Sequence, residues 1–85
     1  MHGAVQSWAV AEAKAGSLAT ARRLFERVTA VQPESAPSWH AWAKMEQGSG
    51  DPDRARSLFS RALALKPDSV ATLSALGHLE RRWAL

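Results

Sequence analysis

The sequence predicts an all-α fold of five helices arranged as antiparallel hairpins, and three observations predict it. The first is spacing. Trp39, Trp42, Ala43 and Glu46 stand at i, i+3, i+4 and i+7, one stripe of a helix. Ala55, Leu58, Phe59, Ala62 and Leu65 form a second stripe at i, i+3, i+4, i+7 and i+10. The second is punctuation: Gly48-Ser49-Gly50, then Asp51-Pro52, separate the two stripes, and Pro67 stops the second. The third is repetition. Shifting the chain by 34 residues aligns Trp8 with Trp42, Glu12 with Glu46, Gly16 with Gly50 and Phe25 with Phe59, among 11 identities in the first 34 positions.

Each element follows in order. The first helix begins almost at once and carries Val5, Trp8, Ala9 and Glu12 on its stripe. Gly16-Ser17 turns the chain, with glycine suited to the left-handed position after a helix end. The second helix spans roughly 18–32 and Pro33 ends it. Ser35 or Ala36 caps the third, whose first turn tolerates Pro37, and Gly48-Ser49-Gly50 is expected to end it. Asp51 caps the fourth helix and Pro52 occupies its first position. Asp68 or Ser69 caps the fifth, which continues to the end of the chain with Leu73, Leu76, Leu79 and Trp83 on one side. In an antiparallel hairpin the end of one helix lies beside the start of the next. Glu12 should therefore face Arg22, and Glu46 should face Arg56, as structural ion pairs. Glu80 would lack an arginine of its own.

Composition narrows the class further. Eighty-five residues make one small domain, 1–85, near the lower size limit for a stable core. Seventeen alanines, with no Ile, Asn, Tyr or Cys, point to closely packed helices. The lack of cysteine removes disulfides, thiol catalysis and thiolate zinc sites, and suits a reducing, intracellular setting. A net charge of +3 permits an anionic partner without demanding one. No apolar run approaches membrane-spanning length, and the N-terminus has no secretory signal pattern. A chain that starts inside a repeat is expected to be a piece of a longer array, with room for a transit peptide upstream.

These residues resemble the tetratricopeptide repeat. The resemblance rests on the 34-residue period, on the small residues Ala9, Ala43 and Gly77, and on Ala21/Ala55, Phe25/Phe59, Val28/Ala62 and Pro33/Pro67 at the family's spacing. One departure is systematic: Glu12, Glu46 and Glu80 stand where that repeat has an aromatic late in its first helix. With Ala21-Arg22 and Ala55-Arg56 opening the second helices, this is the spelling of the half-a-TPR (HAT) variant. Trp39-x-x-Trp42-Ala43-x-x-Glu46 with Ala55-Arg56-x-Leu58-Phe59 is most similar to HAT proteins that stabilise chloroplast messenger RNA. The resemblance implies a right-handed α-solenoid of about two and a half repeats, at 1–34, 35–68 and an incomplete 69–85. It also implies a chloroplast location, with the nucleus as the alternative.

In the resembled family, first helices line a concave face that holds extended ligands. Off the packing stripe those helices carry Gln6, His40 and Ser74; Val10, Lys44 and His78; and Ala13, Gln47 and Arg81, with Lys14 and Arg82 at the edge. That column is basic and holds no acid. The candidate binding residues are Lys14, His40, Lys44, Gln47, His78, Arg81 and Arg82, and single-stranded RNA along them is the first expectation. The alternative is a scaffold docking a partner's helix or extended segment. A solvated helix face that happens to be basic would carry the same residues. Trp39 and Trp42 offer rings on which bases could stack, but both lie on the core stripe, where packing is the expected role. Carboxylate-terminated tails, a familiar ligand of the family, require groove asparagines that this chain lacks. No metal spacing, phosphate loop or catalytic set is present, so no enzyme, metal, cofactor or small-molecule substrate is expected. The last helix lacks a hairpin partner, so its apolar side is expected to be covered by further repeats or by self-association.

Overall fold

A computed structural model describes residues 2–83, with side chains described for 7–79. Among these residues there are five helices and no strand: α1 (His2–Lys14), α2 (Leu18–Val31), α3 (Ala36–Ser49), α4 (Pro52–Leu65) and α5 (Val70–Trp83). The thinnest dimension is 16 Å. That is close to the ~13–15 Å of two helix layers at ~8–10 Å between axes, with a Cα radius of ~2.3 Å on each side. Helices α1, α3 and α5 form one layer and α2 and α4 the other, the arrangement of a helical repeat solenoid.

The turns repeat with the period because the same backbone bonds close them. Gly16 and Gly50 both take positive φ, 91° and 92°. At the first, Ser17 N–H donates to Glu12 O and Gly16 N–H to Ala13 O; at the second, Asp51 N–H donates to Glu46 O and Gly50 N–H to Gln47 O. This pairing is the Schellman closure, and it satisfies carbonyls that the helix end leaves open. Gly48 and Ser49, expected to end α3, instead lie inside it. Ser49 Oγ donates back to Glu46 O at 2.8 Å, so the helix runs on until Gly50 supplies the left-handed turn. At the N-termini Asp51 Oδ1 accepts from Arg54 N–H at 3.1 Å, and Ser69 Oγ from Thr72 N–H at 3.4 Å. Ser35 makes no such cap and bonds the Ser38 hydroxyl instead.

Opposite outcomes are expected at the two glycines of the α3 terminus. No atom lies within 4 Å of a Cβ built on either one, so only the backbone decides. Gly50→Ala forces a left-handed residue and should cost about 1–2 kcal/mol. Gly48→Ala, in ordinary helical backbone, should stabilise by roughly 0.5–1 kcal/mol. Urea midpoints of the two variants check this.

The core is the repeat written in space. Ala21, Leu24, Phe25 and Val28 of α2 are buried, as are their period mates Ala55, Leu58, Phe59 and Ala62 of α4. Ala9 and Ala43 are fully buried, where a small side chain lets helices approach. The Phe25 ring stacks on Trp42 at 6.2 Å and 3°, and Trp42 stacks on Trp39 at 5.8 Å. Arg61 lies 5.0 Å over the outer face of Trp39, whose indole N–H donates to Pro33 O. On α5, Leu79 is fully buried, whereas Leu73 is half exposed.

The ion pairs differ from the expected ones. Arg22 meets not Glu12 of its own hairpin but Glu46 of the next: Nε to Oε2 is 2.7 Å and Nη2 to Oε1 is 2.9 Å. Glu46 is 0% exposed and also accepts from Trp42 Nε1 and Ser49 Oγ, with Arg54 at 4.0 Å. Arg56 stands 3.5 Å from Asp53 on the surface rather than beside Glu46. The reason is the direction of stacking. Helix α2 packs between α1 and α3 and turns Arg22 toward α3, so the carboxylate ties two hairpins together instead of closing one. Arg22, with its hydrogen bonds, holds the Glu46 carboxyl below the usual carboxylate range against the opposing effect of burial. Glu80 lies outside the described side chains.

Trp8 also departs from its stripe. It is 54% exposed, whereas its period mate Trp42 is 7% exposed. Both sit on the same helix face, but α2 covers that face only on α3.

Candidate functional site

Helices α1 and α3 run side by side, and a groove opens between them. Its volume is about 610 Å³. Val10 and Ala13 of α1 form one wall, and Ala41 and Met45 of α3 the other. Leu18 and Phe25 of α2 make the floor. Helical spacing produces both walls: Val10, Ala13 and Lys14 share one side of α1, and Pro37, His40, Ala41, Lys44 and Met45 one side of α3. Lys14 and Lys44 are exposed at the rim, and no acidic residue lines the groove. The arrangement is an apolar trough with two cations at its lip.

Three of the residues expected from the sequence meet here: Lys14, His40 and Lys44. Gln47 is half-buried and His78 exposed, and neither lines the groove. The side chains of Arg81 and Arg82 lie outside the described residues. His40 is less free than its position on α3 implies. Its Nδ1 shares a hydrogen bond of 3.0 Å with Thr72 Oγ1 on α5, and its ring stands edge-on to Phe59 at 5.3 Å. Sequence reasoning missed the floor and the apolar walls, Leu18, Phe25, Ala41 and Met45. The signal was adjacency: Ala41 and Met45 directly follow the two basic positions of α3, His40 and Lys44.

Burial lowers the pKa of His40, and the neighbouring Lys44 charge lowers it further. The folded protein thus holds this ring neutral, while the unfolded chain protonates it near pH ~6.5. Unfolding takes up a proton in the window just below that value, so stability should fall as pH drops through it and level off below the folded pKa. Glu46 adds a separate acid limb. Its carboxyl is held ionised in the fold, and that contribution is present above the unfolded value of about 4.3 and lost as pH falls through the lower folded value. Melting temperature against pH should show both limbs, and His40→Gln should remove only the upper one.

Among the described residues, no group of three or more His, Asp or Glu side chains is placed to hold a metal ion. No described helix is long and apolar enough to cross a membrane. Comparison with curated proteins gave no match. The family model described as tetratricopeptide repeat matches residues 36–79, more than half of the chain, taking in α3, α4 and most of α5. The chain belongs to the tetratricopeptide repeat family.

Proposed function

We propose that the chain is a non-catalytic interaction module that docks an acidic, partly apolar segment of a partner protein in the α1–α3 groove. A tetratricopeptide repeat suggests a protein-interaction or scaffold role, and the groove supports it. The observation that carries the reading is its lining: Val10, Ala13, Leu18, Ala41 and Met45 inside, Lys14 and Lys44 at the rim, and no acid. Apolar walls bury a partner's side chains, the flexible Met45 adapts to their shape, and the lysines fix the approach of carboxylates. The glutamates Glu12 and Glu46 support placing the chain in the half-a-TPR variant.

RNA fits the same groove less well. Single strands bind where bases stack on open rings. Here Trp42 is buried, Trp39 is sandwiched between Trp42 and Arg61, and His40 is tied to Thr72. Fluorescence anisotropy separates the two partners. A labelled acidic amphipathic peptide is expected to bind and to keep most of its affinity as salt rises, and Lys14→Glu with Lys44→Glu should weaken it about tenfold. Binding of single-stranded RNA that falls steeply with salt, with no peptide binding, would overturn the reading in favour of an RNA track.

A further inference from the structure

A second surface, independent of the groove, lies on the outer side of α1. The molecule contains its own template for what that surface accepts. On α3, Trp42 donates its indole N–H to Glu46 at 3.1 Å, and α2 then covers the pair: Phe25 stacks flat on the indole and Arg22 forks the carboxylate. On α1 the first half of this arrangement is present. Trp8 donates its indole N–H to Glu12 Oε1 at 3.2 Å, the same contact displaced by 34 residues. The second half is missing among the described residues. Trp8 is open to solvent, and neither lysine nor arginine pairs with Glu12. Ala15 stands where Ser49 bonds Glu46, so the Glu12 carboxylate also keeps acceptor positions that its mate has filled.

We infer that the Trp8–Glu12 face of α1 docks a partner protein's helix bearing arginine and, three residues later, an aromatic side chain, in the way that Arg22 and Phe25 dock on α3. The chemistry of the occupant follows from the pair it must complete. Arginine supplies the planar fork that a carboxylate accepts in two parallel hydrogen bonds, which lysine cannot copy. The aromatic ring covers the indole face and keeps water from the ion pair. A second copy of this chain is a poor occupant, because its Arg22–Phe25 face is already committed to α3 and its Phe59 is fully buried.

The test uses the chain's own template as probe. A fluorescein-labelled peptide of residues 18–32, stapled into a helix between positions 26 and 30 (both exposed in the fold), is titrated with the full chain. Saturable binding is expected. It should weaken about tenfold or more with Trp8→Ala, with Glu12→Gln, or with Arg22→Ala in the peptide, and the last two losses should not add. Lys14→Glu with Lys44→Glu should leave it unchanged, which separates this face from the groove. Circular dichroism confirms that each variant keeps its helices. The inference is overturned if the stapled peptide does not bind, or if it binds the Trp8 and Glu12 variants as well as it binds the parent chain. Sedimentation that shows a dimer broken by Glu12→Gln would also overturn it, in favour of a second copy.

Discussion

Glu46→Ala is expected to lower the stability of the fold by about 3–5 kcal/mol, the range for breaking a buried ion pair by removing one member. Its carboxylate is 0% exposed and accepts from Arg22, Trp42 and Ser49 at once, so the substitution strands the Arg22 and Trp42 donors, while Ser49 keeps the backbone oxygen of residue 46, and it leaves a void between α2 and α3. Arg22→Ala should be comparably costly, since it leaves a buried carboxylate with only Arg54 at 4.0 Å to oppose its charge. The double variant should cost less than the sum of the two, with a coupling of about 0.5–3 kcal/mol. Glu12→Ala, at the matching position of α1, should stay within roughly 0.5 kcal/mol, because that carboxylate is half open and, among the described residues, bonded to Trp8 alone. Urea unfolding followed by circular dichroism measures all four. Equal effects at Glu12 and Glu46 would contradict the inter-hairpin clamp.

Phe59→Ala is expected to cost about 3–5 kcal/mol, the usual loss for truncating a buried aromatic. Phe59 is fully buried where α4 meets its neighbours and carries the edge of His40 against its face. Removing it opens a cavity that helices on both sides line, and it frees the His40 ring from the contact that helps hold α3 to α5. A domain of this size has a total stability near 5–15 kcal/mol, so the loss should be visible without denaturant as a lower melting temperature. Trp8→Ala provides the contrast. It deletes a larger ring from an exposed position and should change stability by less than about 0.5 kcal/mol.

Most of the fold was legible in the sequence because its determinants are local. The glycines at 16 and 50, the prolines at 33, 52 and 67, and the Ala/Phe spacing on α2 and α4 specify turns and stripes within a few residues of themselves. What was not legible depends on neighbours that the period cannot choose between. Arg22 lies ten residues after Glu12 and 24 before Glu46, and either carboxylate is compatible with a hairpin repeat. The choice is made by how α2 rotates between α1 and α3. Trp8 and Trp42 share a register, yet burial belongs to whichever helix stands in front of each. The groove was half legible. Its cations showed as Lys14 and Lys44, while its floor at Leu18 and Phe25 and the Met45 wall looked like ordinary core, because a groove lining and a core use the same side chains. Gln47 and His78, read onto the same face from spacing alone, fall outside the lining.

The measurement that bears most directly on the docking account is an NMR titration of the isotope-labelled chain with an acidic amphipathic peptide. The account predicts amide perturbations concentrated at Val10, Ala13, Lys14, Ala41, Lys44 and Met45, saturating together at one affinity and fading in the Lys14→Glu/Lys44→Glu variant. Perturbations centred on the outer surface of α4, at Asp53, Arg54 and Ser57, or none at peptide concentrations that saturate the anisotropy signal, would contradict it.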